Sequence, residues 1–413
     1  MAGAGEFWPP SARPGPIAAL LARPARPASL GTSLAFLILL LAELALPAAA
    51  PSQERSVSTN EFLPESPRLW TQGIELRTAA GYKDNLLLSH HRPEHSALFA
   101  NAVDWTVGRL PLDGREFLLL VSAEDTRYPD GRQVDHEDLV FAAAQLKLQL
   151  GGQWRVGLDA RYIYQDQVVD TSFTETNLAA TVVRGHGVAL LPNVRWSAPG
   201  NLWAELSGTA QRQYYQEPLD DYWEGGPKLA LGWDYGNRSS LALAYSWNWR
   251  AHDTREQVAV GGTNLPLSIT NLPGTSLKFA QQDLTLTWRH HWDPQRHWRS
   301  SVRIGVYLNE DNGPGYYDYR RYLAAPQLRY VAARWELKAE ARLAYYEFDR
   351  QPVSQFDRSL RRRTTLTCSL RGERNIGGKF KLFAEYEYEQ SLSNRPTDEY
   401  GANRAAAGLG WEF

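Results

Sequence analysis

From residue 71 onward the chain alternates. Apolar and polar side chains follow one another with a period of two, in runs bounded by turn-forming clusters. A strand turns successive side chains to opposite faces, so each run reads as a strand with one apolar side. Trp335, Leu337, Ala339, Ala341, Leu343 and Tyr345 share a face, and Glu336, Lys338, Glu340 and Arg342 share the other. Phe380, Leu382, Ala384, Tyr386 and Tyr388 stand opposite Lys381, Glu385, Glu387 and Glu389. Helical spacing would scatter these residues round a cylinder. Sixteen runs can be marked, from Gly73–Tyr82, Ala97–Val107 and Glu116–Thr126 to Arg361–Glu373, Lys379–Gln390 and Ala402–Phe413.

The connections alternate in length. Short ones include Gly151-Gly152, Ala198-Pro199-Gly200, Gly236-Asn237-Arg238, Asp293-Pro294-Gln295 and Asn375–Gly378. Between them lie longer ones, among them Ser89–Ser96, Asp166–Gly185, His252–Ser276, Asn309–Tyr317, Gln351–Ser359 and Ser391–Gly401. The Tyr128–Asp138 connection fits this alternation poorly. Short turns at one end and long loops at the other describe an up-and-down antiparallel ring of even strand number. The expected fold class is therefore all-β, a membrane-spanning antiparallel barrel of about sixteen strands over residues 71–413.

Composition agrees. The chain has 413 residues, too many for one ordinary soluble core, yet no linker is evident after residue 70. Apolar residues make up 43% while mean hydropathy is −0.45, and no run after residue 50 could span a membrane as a helix. In a membrane barrel only every second residue meets lipid. The 15 Trp and 20 Tyr suit the aromatic girdles of such barrels. A net charge of −2 without a long basic block argues against nucleic acid as a partner. Cys368 is the single cysteine, placed beside Leu366 and Leu370 on the apolar face, and reads as a small hydrophobe.

Residues 1–50 read as an export signal. An apolar core, Leu34 to Ala42, follows Arg23 and Arg26 and precedes the small residues Ala48-Ala49-Ala50. Residues 51–70 read as a flexible lead-in.

The last strand ends Leu409-Gly410-Trp411-Glu412-Phe413, with Leu409, Trp411 and Phe413 on one face. It resembles the terminal strand of bacterial outer-membrane β-barrels, whose final aromatic the assembly machinery reads. Gly81-Tyr82-Lys83-Asp84-Asn85 resembles an opening found in many barrels of that class, with Lys83 as a departure. The resemblance implies an outer-membrane location, with lipid, lipopolysaccharide and the barrel-assembly machinery as partners. It also implies Trp411 and Phe413 as the assembly signal and, by analogy, a homotrimer.

Function in such a barrel lives in the lumen or loops. The expected lumen-lining set is Arg289, Arg299, Arg303, Arg329, Glu336, Glu340, Arg342, Arg371, Glu385, Glu387, Glu389 and Arg404, with Lys338 among them. Basic residues dominate from Arg289 to Arg329, and Glu385, Glu387 and Glu389 form an acidic ladder. These could make opposed walls with a transverse field, as in general porins, or merely salt-bridged packing. Tyr316 to Tyr322 and Arg361-Arg362-Arg363 read as an interface belt or as a holder of sugars or anions. The apolar loop His252–Ser276 is expected to constrict the lumen or to pack on a neighbouring subunit. No nucleophile elbow, zinc motif or phosphate loop is present in the sequence. Neither His90-His91 with His95 nor His290-His291 with His297 has a metal-site spacing. The expectation is a passive or weakly selective channel for small polar solutes, without catalysis, cofactor or metal. A non-transporting barrel that helps to secrete or anchor a surface polymer or a partner protein is the other reading.

Overall fold

The computed structural model describes residues 69–413 apart from 112, 171–179, 237, 263 and 264. The expected export signal and most of the lead-in lie outside the described residues. The strands are Trp70–Lys83 (β1), Ser96–Arg109 (β2), Arg115–Arg127 (β3), His136–Leu150 (β4), Trp154–Asp170 (β5) and Ala180–Ser197 (β6). Leu202–Tyr215 (β7), Tyr222–Tyr235 (β8) and Ser239–His252 (β9) follow, then a small hairpin of Gln257–Gly261 (β10) and Ser268–Leu272 (β11). Lys278–His291 (β12), Trp298–Asp311 (β13), Tyr319–Val331 (β14) and Trp335–Ser354 (β15) come next. Asp357–Gly377 (β16), Phe380–Ser393 (β17) and Tyr400–Glu412 (β18) complete the series.

Sixteen of these strands form one closed antiparallel ring in chain order, with β9 paired to β12 across the inserted hairpin and β1 paired to β18. Each of the sixteen expected runs is a strand of the ring. The alternation sets its faces. Leu190, Leu206 and Leu231 point outward and are 53%, 58% and 51% exposed. Exposed leucines recur round the ring, which no water-facing surface tolerates at this extent. Trp154, Trp196, Trp233, Trp298 and Trp411 stand outward near the short-turn end. This is the layout of a membrane-spanning barrel of the outer-membrane type.

Three connections differ from their sequence reading. Asp166–Gly185 was expected to be loop, but β5 and β6 stay paired out to Asp170 and Ala180, because Val168, Val169, Val182 and Val183 keep the ladder going. Gln351–Ser359 narrows to a turn, with Ser354 facing Asp357. Ser354 Oγ accepts the Phe356 N–H at 3.1 Å, and Asp357 Oδ1 accepts that of Ser359 at 2.9 Å. Tyr128–Asp138 fits the ring after all: it leaves β3 at the end where β1 meets its own long loop.

The seam between β1 and β18 is tight. Gly81 faces Ala406, and a Cβ on it would lie 2.1 Å from the Ala405 carbonyl oxygen. Gly408 faces Ala79, and a Cβ there would lie 2.0 Å from the Thr78 carbonyl. Beyond the last ladder pair, Asp84 accepts from the Asn403 N–H and from Asn403 Nδ2, both at 2.6 Å. Asn85 Nδ2 donates to the Gly401 carbonyl at 2.9 Å. The Asp84-Asn85 dipeptide of the opening motif thus clips the seam. Its next residue, Leu86, turns inward and is fully buried with Leu98, Ala100 and Ala406.

The β10–β11 loop folds onto its own chain. Val258 packs with Leu277, Phe279, Tyr316 and Tyr317, and the Leu267 N–H donates to the Gln355 carbonyl at 2.6 Å. Phe279 belongs to the inward face of β12, so Val258 packs at the mouth of the barrel, while Leu265 and Ile269 of the same loop stay exposed.

Candidate functional site

Register fixes which side chains meet in the lumen. His291, Arg299, Arg329, Lys338, Arg371 and Glu385 form one inward row across six consecutive strands, β12 to β17. One step up lie Arg289, Ser301, Gln327, Glu340, Ser369, Glu387 and Arg404. The next row runs from Thr287 through Arg303 and Ala325, and farther round it pairs Arg342 with Thr367 and Thr367 with Glu389. Glu336 stands two residues below Lys338 on the same face. All twelve expected lumen residues therefore share the inward side, and Trp411 and Phe413 face out.

A cavity of about 400 Å³ joins the strands across the seam to this arc: Glu75, Arg77 and Asp104 of β1 and β2 meet Arg299, Arg329, Glu336, Lys338 and Arg371 there. Most charges in it are matched. Arg77 contacts Asp104 at 2.6 Å, Arg329 contacts Glu336 at 2.7 Å, and Lys338 contacts Glu340 at 3.0 Å. Arg371 reaches Glu385 at 3.1 Å, and Arg404 reaches the same carboxylate at 2.9 Å. Among the described residues, Arg289, Arg299, Arg303 and Arg342 have no ion pair. Ala325 faces Arg303 in its row.

The expectation of opposed walls fails. The acidic ladder lies on β17, three strands past β14 in a ring of sixteen, so it stands to one side of the Arg289–Arg329 stretch instead of facing it. In an up-and-down ring strand order is chain order, so counting strands along the sequence separates the two stretches by less than half a turn.

The reading of Arg361-Arg362-Arg363 as an outer belt also fails for two of the three. Arg361 and Arg363 share the inward face of β16 and are 0% and 1% exposed. Arg361 Nε donates to Asp398 at 2.6 Å, its Nη1 donates to Gln351 at 2.6 Å, and its guanidinium lies 4.5 Å over Phe348. Arg363 donates to Ser391 Oγ at 2.7 Å and pairs with Asp170 at the end of β5. The strands β5 and β16 stand seven apart round the ring, so this pair crosses the outer mouth. Alternation from Leu360 onward could have placed Arg361 inside; its partners could not be read.

The paired histidines divide between two environments. His290 faces outward and stacks on Trp288 with ring centroids 5.5 Å apart, while His291 faces inward. Two side chains on opposite faces of a strand cannot share a metal. Burial lifts the Tyr316 hydroxyl above its ordinary pKa in the loop before β14, in keeping with the packed mouth.

No protein-family model and no curated protein matches the chain. Among solved structures, OccAB1 of Acinetobacter baumannii is similar with a TM-score of 0.46 at 10% identity, over 83% of this chain and 97% of that one. A doubly substituted OccD1 (OprD) gives 0.42 at 10%, over 83% and 95%. OmpT of Vibrio cholerae gives 0.39 at 12%, over 86% and 100%. The lumen's chemistry has to be read from its own side chains.

Proposed function

We propose that the chain is an outer-membrane channel through which small polar solutes pass passively, with anions favoured over cations. The carrying observation is the set of four arginines, Arg289, Arg299, Arg303 and Arg342, that line the lumen without an ion-pair partner among the described residues. A sixteen-stranded ring is wide enough to hold a water-filled interior. Charge left unmatched on the wall of such an interior raises the local concentration of the opposite ion. Matched pairs such as Arg329–Glu336 contribute little to that field.

The test is the reversal potential of the full chain in planar bilayers under a potassium chloride gradient. Chloride preference is expected at low salt and should fade as salt rises, because screening shortens to about 3 Å at 1 M. The double substitution Arg303→Glu with Arg342→Glu should invert the preference. Folded protein that never conducts would overturn the channel reading and favour the secretion or anchoring barrel.

A further inference from the structure

A second chamber lies at the outer end of the lumen, away from the basic arc. Its volume is about 180 Å³, and its walls come from the inward faces of β5 to β9 and the loops beside them. Tyr215, Tyr222, Arg250 and His252 supply one side, and Gln165, Asp170, Asp220 and Arg255 the other. At roughly 30 Å³ per water, that is space for about six waters.

His252 is the unusual member. It is 6% exposed, wedged between Tyr222 and Phe279 with ring centroids 5.4 and 5.7 Å away. Neither of its ring nitrogens has a hydrogen-bond partner among the described residues. Its Nδ1 lies 3.6 Å from Asp220 Oδ2, beyond bonding reach. A buried polar group without a partner costs about 1–3 kcal/mol, and natural structures rarely keep one without a use.

The charged groups of the chamber are already engaged. Arg250 donates twice to Glu224, at 2.9 and 2.7 Å, while lying 4.3 Å over the Tyr222 ring. Asp220 accepts from the Thr254 N–H, the Thr254 hydroxyl and the Arg255 N–H at 3.1, 2.6 and 3.1 Å. Arg255 donates to the Tyr317 hydroxyl at 3.0 Å, and Asp170 pairs with Arg363. Two cations and two carboxylates line the space, so its walls favour neither sign of charge.

We infer that this chamber binds a neutral, hydroxyl-rich solute about the size of a single sugar ring, held through His252 and the face of Tyr215. A neutral imidazole offers one N–H donor and one bare acceptor nitrogen. A sugar hydroxyl, which both donates and accepts, can meet either nitrogen, and it does so without bringing a net charge to walls that are already balanced. The Tyr215 ring supplies flat apolar area for the C–H face of a sugar. The inference concerns binding and does not depend on the channel being anion-selective.

The full chain in detergent, labelled with ¹⁵N-histidine, is titrated with D-glucose and separately with inorganic phosphate. Glucose should move the His252 ring resonances saturably, and phosphate should not. Calorimetry on His252→Phe, which keeps the ring contacts and removes both nitrogens, should show glucose affinity reduced about tenfold, a single lost hydrogen bond's worth. Heat-modifiable migration on gels checks that the variant is folded; if it is not, the wild-type titration decides alone. Absence of a saturable shift, unchanged affinity in folded His252→Phe, or displacement of glucose by phosphate would overturn the inference. Binding without conductance would retain this site and remove the channel reading; conductance without glucose binding would do the reverse.

Discussion

Asp84 holds Asn403 with both oxygens of one carboxylate, at 2.6 Å to the backbone N–H and 2.6 Å to the side-chain amide, across 319 residues of sequence. The contact extends the β1–β18 ladder past its last pair, Lys83 with Arg404. Hydrogen bonds to a charged group contribute about 1.5–3 kcal/mol each. Asp84→Ala, which removes both bonds, should therefore lower the barrel's resistance to urea by about 3 kcal/mol or more, read from the shift between folded and unfolded bands on gels. Equal midpoints would show that the clip adds nothing to the ladder.

Gly408 is a second dependence of the same seam. Its Cβ position falls 2.0 Å from a backbone oxygen, which cannot swing away as a side chain could. Gly408→Val should force β1 and β18 apart and cost about 1–3 kcal/mol, visible as a reduced folded fraction on refolding into vesicles. Gly73→Ala, where nothing lies within 4 Å, should refold normally.

The Arg363–Asp170 pair predicts an effect at the mouth. Its side chains are 0% and 16% exposed. Separating a buried pair by removing one member costs about 3–5 kcal/mol. Arg363→Gln should loosen the tie across the outer opening and give noisier, larger single-channel currents. Exchanging the charges, with Asp170→Arg and Arg363→Asp together, should quieten them again. Currents identical to wild type in Arg363→Gln would mean the tie does not limit the opening.

Acid should release the loop after β9. The Arg212 guanidinium donates two bonds to Asp253, at 2.7 and 2.5 Å, and holds its carboxyl below the usual carboxylate range. A depressed carboxyl contributes stability that is complete above the unfolded value near pH 4 and is lost as pH falls through the folded one. Amide exchange at Thr254 and Arg255 should accelerate, beyond the intrinsic trend, as pH falls from about 4 to 2. Asp253→Asn should show that faster exchange already at neutral pH.

Much of this molecule was legible in its alternation, and the limits of that legibility are physical. Glu385, Glu387 and Glu389 had to share a face because a strand has period two, and the same rule put Leu409, Trp411 and Phe413 on the lipid side. Face assignment within a strand is local information. The register between neighbouring strands, and the groups across the lumen, are not. Thus Glu385 could be placed inside, but its bonds to Arg371 and Arg404 could not. Arg361 and Arg363 looked like surface charge until Phe348, Gln351, Asp398 and Asp170 arrived from other elements to enclose them. His252 ended a clean strand and gave no sign of function, since its isolation depends on Tyr222, Phe279 and a loop that leaves it no partner.

The seam also sets the order in which the ring can form. Each other junction joins strands that follow one another in the chain, with only the β10–β11 loop intervening between β9 and β12. Those junctions close over short stretches and can zip one after another. Bringing Asp84 to Asn403 closes a loop of 319 residues, whose length-dependent entropy cost is about 5 kcal/mol. Where the sequential junctions pair first, the sheet is an open ribbon until its final strand is in hand. Its two unpaired edges are exposed to other chains for all of that time. The close-approach glycines and the Asp84 clip act at the one step where a correct ring and an aggregate part ways.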